Sequence, residues 1–353
     1  MNNTNMYGWG ANSHGQLGLG FSSEMCESPQ LVESLPFSTD QIVTIGAGGG
    51  HTLICTVDGR LFSSGWNNRG QLGLGHTDDV SQFTLAGQYS FVSVICGWDV
   101  SGGITAQGEL YLWGSNVWLQ IADKGVKFYT TPTKLDLPAG EKVKKICFGL
   151  RHTCLLTEDG SLLLLGKSKW LQNEGLQSID FGGIDFYALR FSAKIDDVVS
   201  GENHLVILVG RTTIVCRGDD KFGQCLKGVD VNPHKQEIIK LQAGWSHSGY
   251  LTNNGQVYLW GRNNYGQLGG VVDTSRNGPS LLNVESDVRD FCLGSQHGIA
   301  IAEEGVHAWG WNEHGNCGTG NNENVWAPTR MKHLKSIDTV VSGAAFCFAL
   351  QKR

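Results

Sequence analysis

Proline is scarce in this chain, 7 of 353 residues, and charged side chains make up only 17%, against about a quarter in ordinary soluble proteins. So little charge suits a fold that buries most faces of its elements. No run approaches the roughly 20 apolar residues a membrane-crossing helix needs; Leu162–Leu165 and Leu205–Val209 have the length of strands. The opening MNNTNM has neither a basic region nor an apolar core, so no secretory signal is expected. Ten cysteines are scattered without a CxxC pair. A zinc site is therefore not expected, and free thiols suit a reducing compartment, the cytoplasm or also the nucleus. Net charge is −6, and the small basic stretches around Lys142, Lys144 and Lys145 and around Lys332 and Lys335 read as solvated rims. Nucleic-acid binding is not expected. The phosphate-cradling GxxxxGK[ST] pattern, HExxH, the nucleophile elbow and the kinase signatures are all absent. None of the Gly-rich loops is expected to open a helix. Glu303 and Glu304 read as solvated turn carboxylates. The chain thus offers no case for covalent or hydrolytic catalysis, for a resident cofactor or for a metal.

Glycine, by contrast, is abundant at 49 residues, and it falls in phrase. YGWGANSHGQLGLG from Tyr7 returns as FSSGWNNRGQLGLG from Phe62, YLWGSNVWLQIAD from Tyr111 and LLLGKSKWLQNEG from Leu163. It returns again as IVCRGDDKFGQCL from Ile214, VYLWGRNNYGQLGG from Val257 and VHAWGWNEHGNCGTG from Val306. The strand-closing glycines Gly10, Gly65, Gly114, Gly166, Gly218, Gly261 and Gly310 are 43 to 55 residues apart. A period in that range marks a propeller or another repeat array. A second phrase interleaves with it, as in AGGGHTLICTVDG from Ala47 and AGWSHSGYLTNNG from Ala243. Five of its copies end in a hairpin glycine: Gly59, Gly108, Gly160, Gly255 and Gly305.

The ends carry half-units. The chain opens with the WG phrase and closes with the SGxxH phrase, SGAAFCFALQKR from Ser342. A ring in which strands from both termini share one blade satisfies both halves and leaves no open sheet edge. The expected fold is all-β, a seven-bladed β-propeller closed in this way. One domain over residues 1–353, monomeric, is expected.

Repetition also sorts the candidate residues. His51, His152, His204, His247 and His297 recur in one register and read as structural hydrogen-bonding groups. Asp99 is taken to stand in place of the repeat's histidine in the second copy, and Phe346 in the last. Trp9, Trp113, Trp260 and Trp309 share the WG position and read as core. Residues that depart from the repeat read as candidates for binding a partner: Trp98, Asp99, Arg151, Glu202, Asn203, Trp245, Ser246 and Gln296 between SG and H. Trp118, Trp311, Glu313 and His314 join them from the loops after WG. Tryptophan and arginine dominate interface hot spots.

With these phrases the chain resembles the regulator of chromosome condensation family, whose repeats carry WGxNxxGQLG and SGxxHT on a seven-bladed propeller. Within it, ANSHGQLGLG from Ala11, CGWD from Cys96, GLRH from Gly149 and WGWNEHGNCGTGNNENVWAP from Trp309 are similar to the secretion-regulating branch of guanine nucleotide exchange factors. The resemblance implies a protein partner: a small GTPase, an exocyst component or deoxyhypusine hydroxylase. It leaves two activities open, nucleotide exchange and a non-enzymatic adaptor function. The loop matching the family's third-blade wedge, Ser115-Asn116-Val117-Trp118, holds no charged residue, and the family's basic chromatin-docking tail has no counterpart. A photoreceptor branch relies on tryptophans in the SGxxH phrases; here only Trp98 and Trp245 hold that register, so light sensing is not expected.

Overall fold

A strand packed on both faces has no room for polar alternation, and the second strand of most repeats here is of that kind. The computed structural model describes residues 5–121, 124–173, 176–270, 278–332 and 334–351; the first four residues of MNNTNM lie outside them. His51–Thr56, Val100–Thr105, His152–Thr157, His247–Thr252 and His297–Ala302 are buried along their whole length. Outer strands such as Ser23–Leu31 and Val325–Arg330 mix half-buried with exposed residues. These fully buried second strands hold no charged residue, which helps account for how little charge the sequence holds.

Seven antiparallel sheets result, and they are the blades. Blade 1 runs Ile42–Ala47, His51–Thr56, Arg60–Gly65 and Val80–Gln88. Blade 2 runs Phe91–Cys96, Val100–Thr105, Leu110–Ser115 and Phe128–Leu135. Blade 3 starts Val143–Phe148, His152–Thr157 and Leu162–Gly166, and its outer part is a hairpin of Ile184–Leu189 and Ser178–Phe181. Blade 4 has Ile195–Ser200, His204–Val209 and Thr213–Gly218, three strands among the described residues. Blade 5 has Ile238–Ala243, His247–Thr252, Val257–Gly261 and a two-residue fourth strand, Ser280–Leu281. Blade 6 has Val288–Leu293, His297–Ala302, Gly305–Gly310 and Val325–Arg330.

Blade 7 is built from both ends of the chain, in the order Thr339–Ser342, Phe346–Gln351, Asn5–Asn12, Ser23–Leu31. Trp9 lies opposite Cys347 and Gly10 opposite Phe346. The fold is the all-β, seven-bladed propeller expected, with the shared terminal blade in place. By mutual contact the chain forms two compact units. Ser13–Ser22 with Glu33–Ile195 holds blades 1 to 3; Met1–Asn12, Ser23–Val32 and Asp196–Arg353 hold blades 4 to 7.

The repeated glycines are required by geometry. Gly59 closes its hairpin at φ +79°, and Gly65 sits at φ +107°, where a Cβ would come 2.4 Å from the Gly50 carbonyl oxygen. One expectation fails: the loop after Gly166 does open a helix, the single turn Lys169–Asn173. Trp170 and Leu171 of KSKWLQN are both buried by it.

The WG tryptophans bind blade to blade. Trp113 Nε1 donates to the Gln71 carbonyl at 2.9 Å, Trp260 to Gln224 at 2.9 Å, Trp309 to Gln267 at 2.9 Å and Trp9 to Asn316 at 3.0 Å. In each case the acceptor lies in the Gly-rich loop of the preceding blade. All four indoles are essentially fully buried.

Candidate functional site

Antiparallel order puts two loops at the same end of every blade. One joins the first and second strands and carries the variable pair of SGxxH. The other follows the WG strand. Backbone hydrogen bonds hold them side by side: Trp66 N donates to Gly50 O at 2.8 Å, Ser115 to Asp99 at 2.8 Å, Asp219 to Asn203 at 2.9 Å, Arg262 to Ser246 at 2.8 Å and Trp311 to Gln296 at 2.9 Å. Further main-chain bonds run from blade to blade. Gly49 N donates to Trp98 O at 3.2 Å; Glu202 N to Trp245 O at 3.0 Å, Trp245 N to Ser295 O at 2.9 Å and Ser295 N to Ala344 O at 3.1 Å. The belt is made of main chain. The side chains on it are free to differ, which is why they vary from copy to copy.

Side chains stiffen the second loop. Its glutamine accepts from the amide two residues earlier, as Gln71 does from Arg69 at 2.8 Å and Gln267 from Tyr265 at 2.7 Å. Its asparagine accepts from five residues later, as Asn67 does from Leu72 at 2.9 Å and Asn312 from Cys317 at 2.7 Å. Within each unit the loops are thus held rigid.

Pairing corrects one assignment. Val100 lies opposite Gly114 as His51 lies opposite Gly65. Val100, not Asp99, holds the histidine register; Asp99 is the second variable residue. The true histidines are internal. His51 Nε2 meets Ser101 Oγ at 2.9 Å, and Ser101 donates to Gln71 O at 2.7 Å, so the ring must carry its proton on Nε2. His204 meets Ser248 at 2.8 Å and His297 meets the Cys347 sulfur at 3.1 Å. Burial lowers His51, His247 and His297 to about 3 and His204 to about 4, so all four are neutral near pH 7.

In blades 1 to 3 the structure brings together Trp118 and Arg151, whose guanidinium stacks over the indole at 4.1 Å. The loop without a charge of its own thereby acquires one from the next blade. Trp98 is half-buried, and its ring lies against Gly49, where a Cβ would stand 2.9 Å away. Asp99 is partly buried, which raises its carboxyl, with Ser115 and Arg69 opposing. His14 and Trp66 stack at 5.4 Å, and His14 Nδ1 meets Asp79 at 2.7 Å; the sequence reading passed over both rings.

In blades 4 to 7, Glu202, Asn203 and Trp245 are half-buried on the belt. Ser246 and Gln296 are only 6% and 8% exposed, and Gln296 accepts from Gln267. Those two serve the loops and present little to a partner. Trp311 Nε1 donates to Glu313 at 3.1 Å and meets His314 edge-on at 5.2 Å. The cluster missed here is Arg262, 4.8 Å above the Phe222 ring and 5.5 Å from Tyr265. A signal for it exists. In the loops after the WG strands, the residue before the Gly of the GQ or GN pair is His14, Arg69, Phe222, Tyr265 or His314, and Trp118 and Trp170 hold that place in VWLQ and KWLQ. Trp170 apart, which is buried, the aromatic rings and the guanidinium at these places reach the surface.

The profile of the RCC1-like domain family matches residues 5–349. Over 94% of its length the chain is 31% identical to the secretion-regulating guanine nucleotide exchange factor of Bos taurus, of which it covers 79%. It is 28% identical to the ultraviolet-B receptor UVR8 of Arabidopsis thaliana, covering 80% of this chain and 66% of the receptor. The crystal structure of Prp20p from Saccharomyces cerevisiae superposes over 100% of this chain and 92% of its own with a TM-score of 0.86, at 24% identity.

Proposed function

Because this chain belongs to the RCC1-like domain family, we propose that it regulates a small GTPase as a guanine nucleotide exchange factor, acting through the loop ends of its blades. The bovine relative carries that activity in its name, and Prp20p is described together with its binding to Gsp1p and histones. Exchange needs no covalent chemistry. It requires only that the nucleotide-free GTPase be held better than the loaded one, a difference of binding. The observation that carries the reading is the main-chain belt. It fixes Trp98 and Asp99 in one unit, and Glu202 and Trp245 in the other, on rigid loops while leaving their identities free to vary; Arg151 is held by its stack on Trp118. A role in secretion and a cytoplasmic location belong to the same proposal.

The test is release of a fluorescent GDP analogue from a panel of small GTPases. Acceleration of one member is expected, reduced by charge reversal at Arg151 or Glu202. Trp98→Ala and Trp245→Ala should each weaken the complex by about 1–3 kcal/mol without altering the circular dichroism spectrum. A panel with no acceleration refutes exchange. If some GTPase or other protein still binds through Trp98 and Trp245, the adaptor reading replaces it, and an exocyst component or deoxyhypusine hydroxylase becomes the partner to try.

A further inference from the structure

Glu304 does not behave as a solvated turn carboxylate. Its side chain is only 20% exposed and stands 3.4 Å from His307 Nε2. One carboxylate oxygen accepts from Ser286 Oγ; the other, Oε1, is the one that faces His307 Nε2. His307 itself is 6% exposed. Both residues line a groove of about 760 Å³. The groove lies beside the two-residue strand Ser280–Leu281, the fourth strand of blade 5 among the described residues, and the outer strand Val325–Arg330 of blade 6. Its apolar lining includes Trp326 and Leu281, 45% and 52% exposed. Glu285 adds a second carboxylate, against one cation, Arg330.

We propose that this groove binds an extended basic peptide segment of a partner protein, with an arginine side chain seated between Trp326 and Glu304. A guanidinium brings N–H donors in a planar fork that suits a carboxylate and also stacks on an indole. Two carboxylates against Arg330, with His307 held neutral by burial, leave the lining acidic. The volume exceeds one guanidinium many times over, so flanking peptide fits against Leu281, Pro328 and Val284. The site stands apart from the SGxxH loops used above and does not rest on the exchange reading.

Fluorescein-labelled nonapeptides with central arginine, citrulline, lysine or glutamate in a Gly/Ala/Val background, titrated by anisotropy into the full chain, test it. The arginine peptide should bind. The citrulline peptide, of the same shape but uncharged, should bind about tenfold or more weakly, and the glutamate peptide not at all. Glu304→Gln and Trp326→Ala should each remove about tenfold or more of the arginine peptide's affinity. Thermal melting checks folding, and Leu85→Ala, exposed on blade 1, serves as the unaffected control. Equal binding of arginine and citrulline peptides, no binding of either, or wild-type affinity in folded E304Q and W326A would each overturn the proposal. GDP release measured on the same variants should be unchanged, so failure here and failure of the exchange reading are told apart.

Discussion

Trp309→Phe and Trp113→Phe delete the same N–H from the same repeat position, yet the structure assigns them different costs. In blade 2 the Gln71 carbonyl accepts from both Trp113 Nε1 at 2.9 Å and Ser101 Oγ at 2.7 Å. After Trp113→Phe the serine still satisfies it. In blade 6 the residue matching Ser101 is Gly298, whose space the Trp309 ring occupies; a Cβ there would meet the indole at 2.2 Å. No hydroxyl can replace the Trp309 donor to Gln267. A buried carbonyl stripped of its donor costs about 1–3 kcal/mol, while the loss of ring volume is common to both variants and cancels. Trp309→Phe should therefore be the worse by about 1–2 kcal/mol. For a chain of 353 residues that is a difference in melting temperature of roughly 1–3 °C. Ser101→Ala together with Trp113→Phe should cost more than the sum of the two, because the pair shares one acceptor. The assay is differential scanning calorimetry at fixed scan rate. Trp113→Phe melting as low as Trp309→Phe, or additivity in the double variant, would refute the reasoning.

Two further outcomes are expected. The four neutral histidines have folded values of about 3 to 4 against about 6.5 in the unfolded chain, so the unfolded state binds more protons between those limits. Their contribution is complete above pH 6.5 and falls below it by about 1.4 kcal/mol per pH unit for each histidine; urea midpoints measured from pH 7.5 to 4.5 should drop steeply below pH 6.5, and a flat profile would contradict buried neutral rings. Deleting residues from Phe346 onward removes the strand that pairs with both Asn5–Gly10 and Thr339–Ser342; the main melting transition should fall by several degrees, and an unchanged transition would mean that blade 7 is dispensable.

The repeat made most of the fold legible. Glycines at forced φ values and tryptophans with one acceptor each are chemically specific, so they mark strand ends and blade contacts in the sequence itself. Where the chain departs from the repeat, that guidance ends. KSKWLQN replaces a GQ loop and coils into a helix because Trp170 and Leu171 find burial that way. In CGWDV the absence of histidine invited the nearest polar residue into its place, whereas strand pairing puts apolar Val100 there. Among the candidate residues, Trp118 and Arg151 could be flagged singly but not as a stack, since their meeting depends on the offset between neighbouring blades. Ser246 and Gln296 looked variable and are buried. The Phe222–Arg262–Tyr265 cluster was missed because each member sits at a position that looks unconstrained when one copy is read at a time.

The shared terminal blade also sets a timetable for the nascent chain. Asn5 Nδ2 bonds Gln351 Oε1 at 3.0 Å, across 346 positions of sequence. At about 5–20 residues per second of synthesis, the strand at Asn5–Asn12 waits roughly 17–70 s for its partner to leave the ribosome. Throughout that interval the first hairpin carries a bare edge containing Met6 and Trp9, both fully buried in the finished blade. Such an edge is a template for foreign strands, so this strand, made long before its partner, is the one most in need of a chaperone's protection.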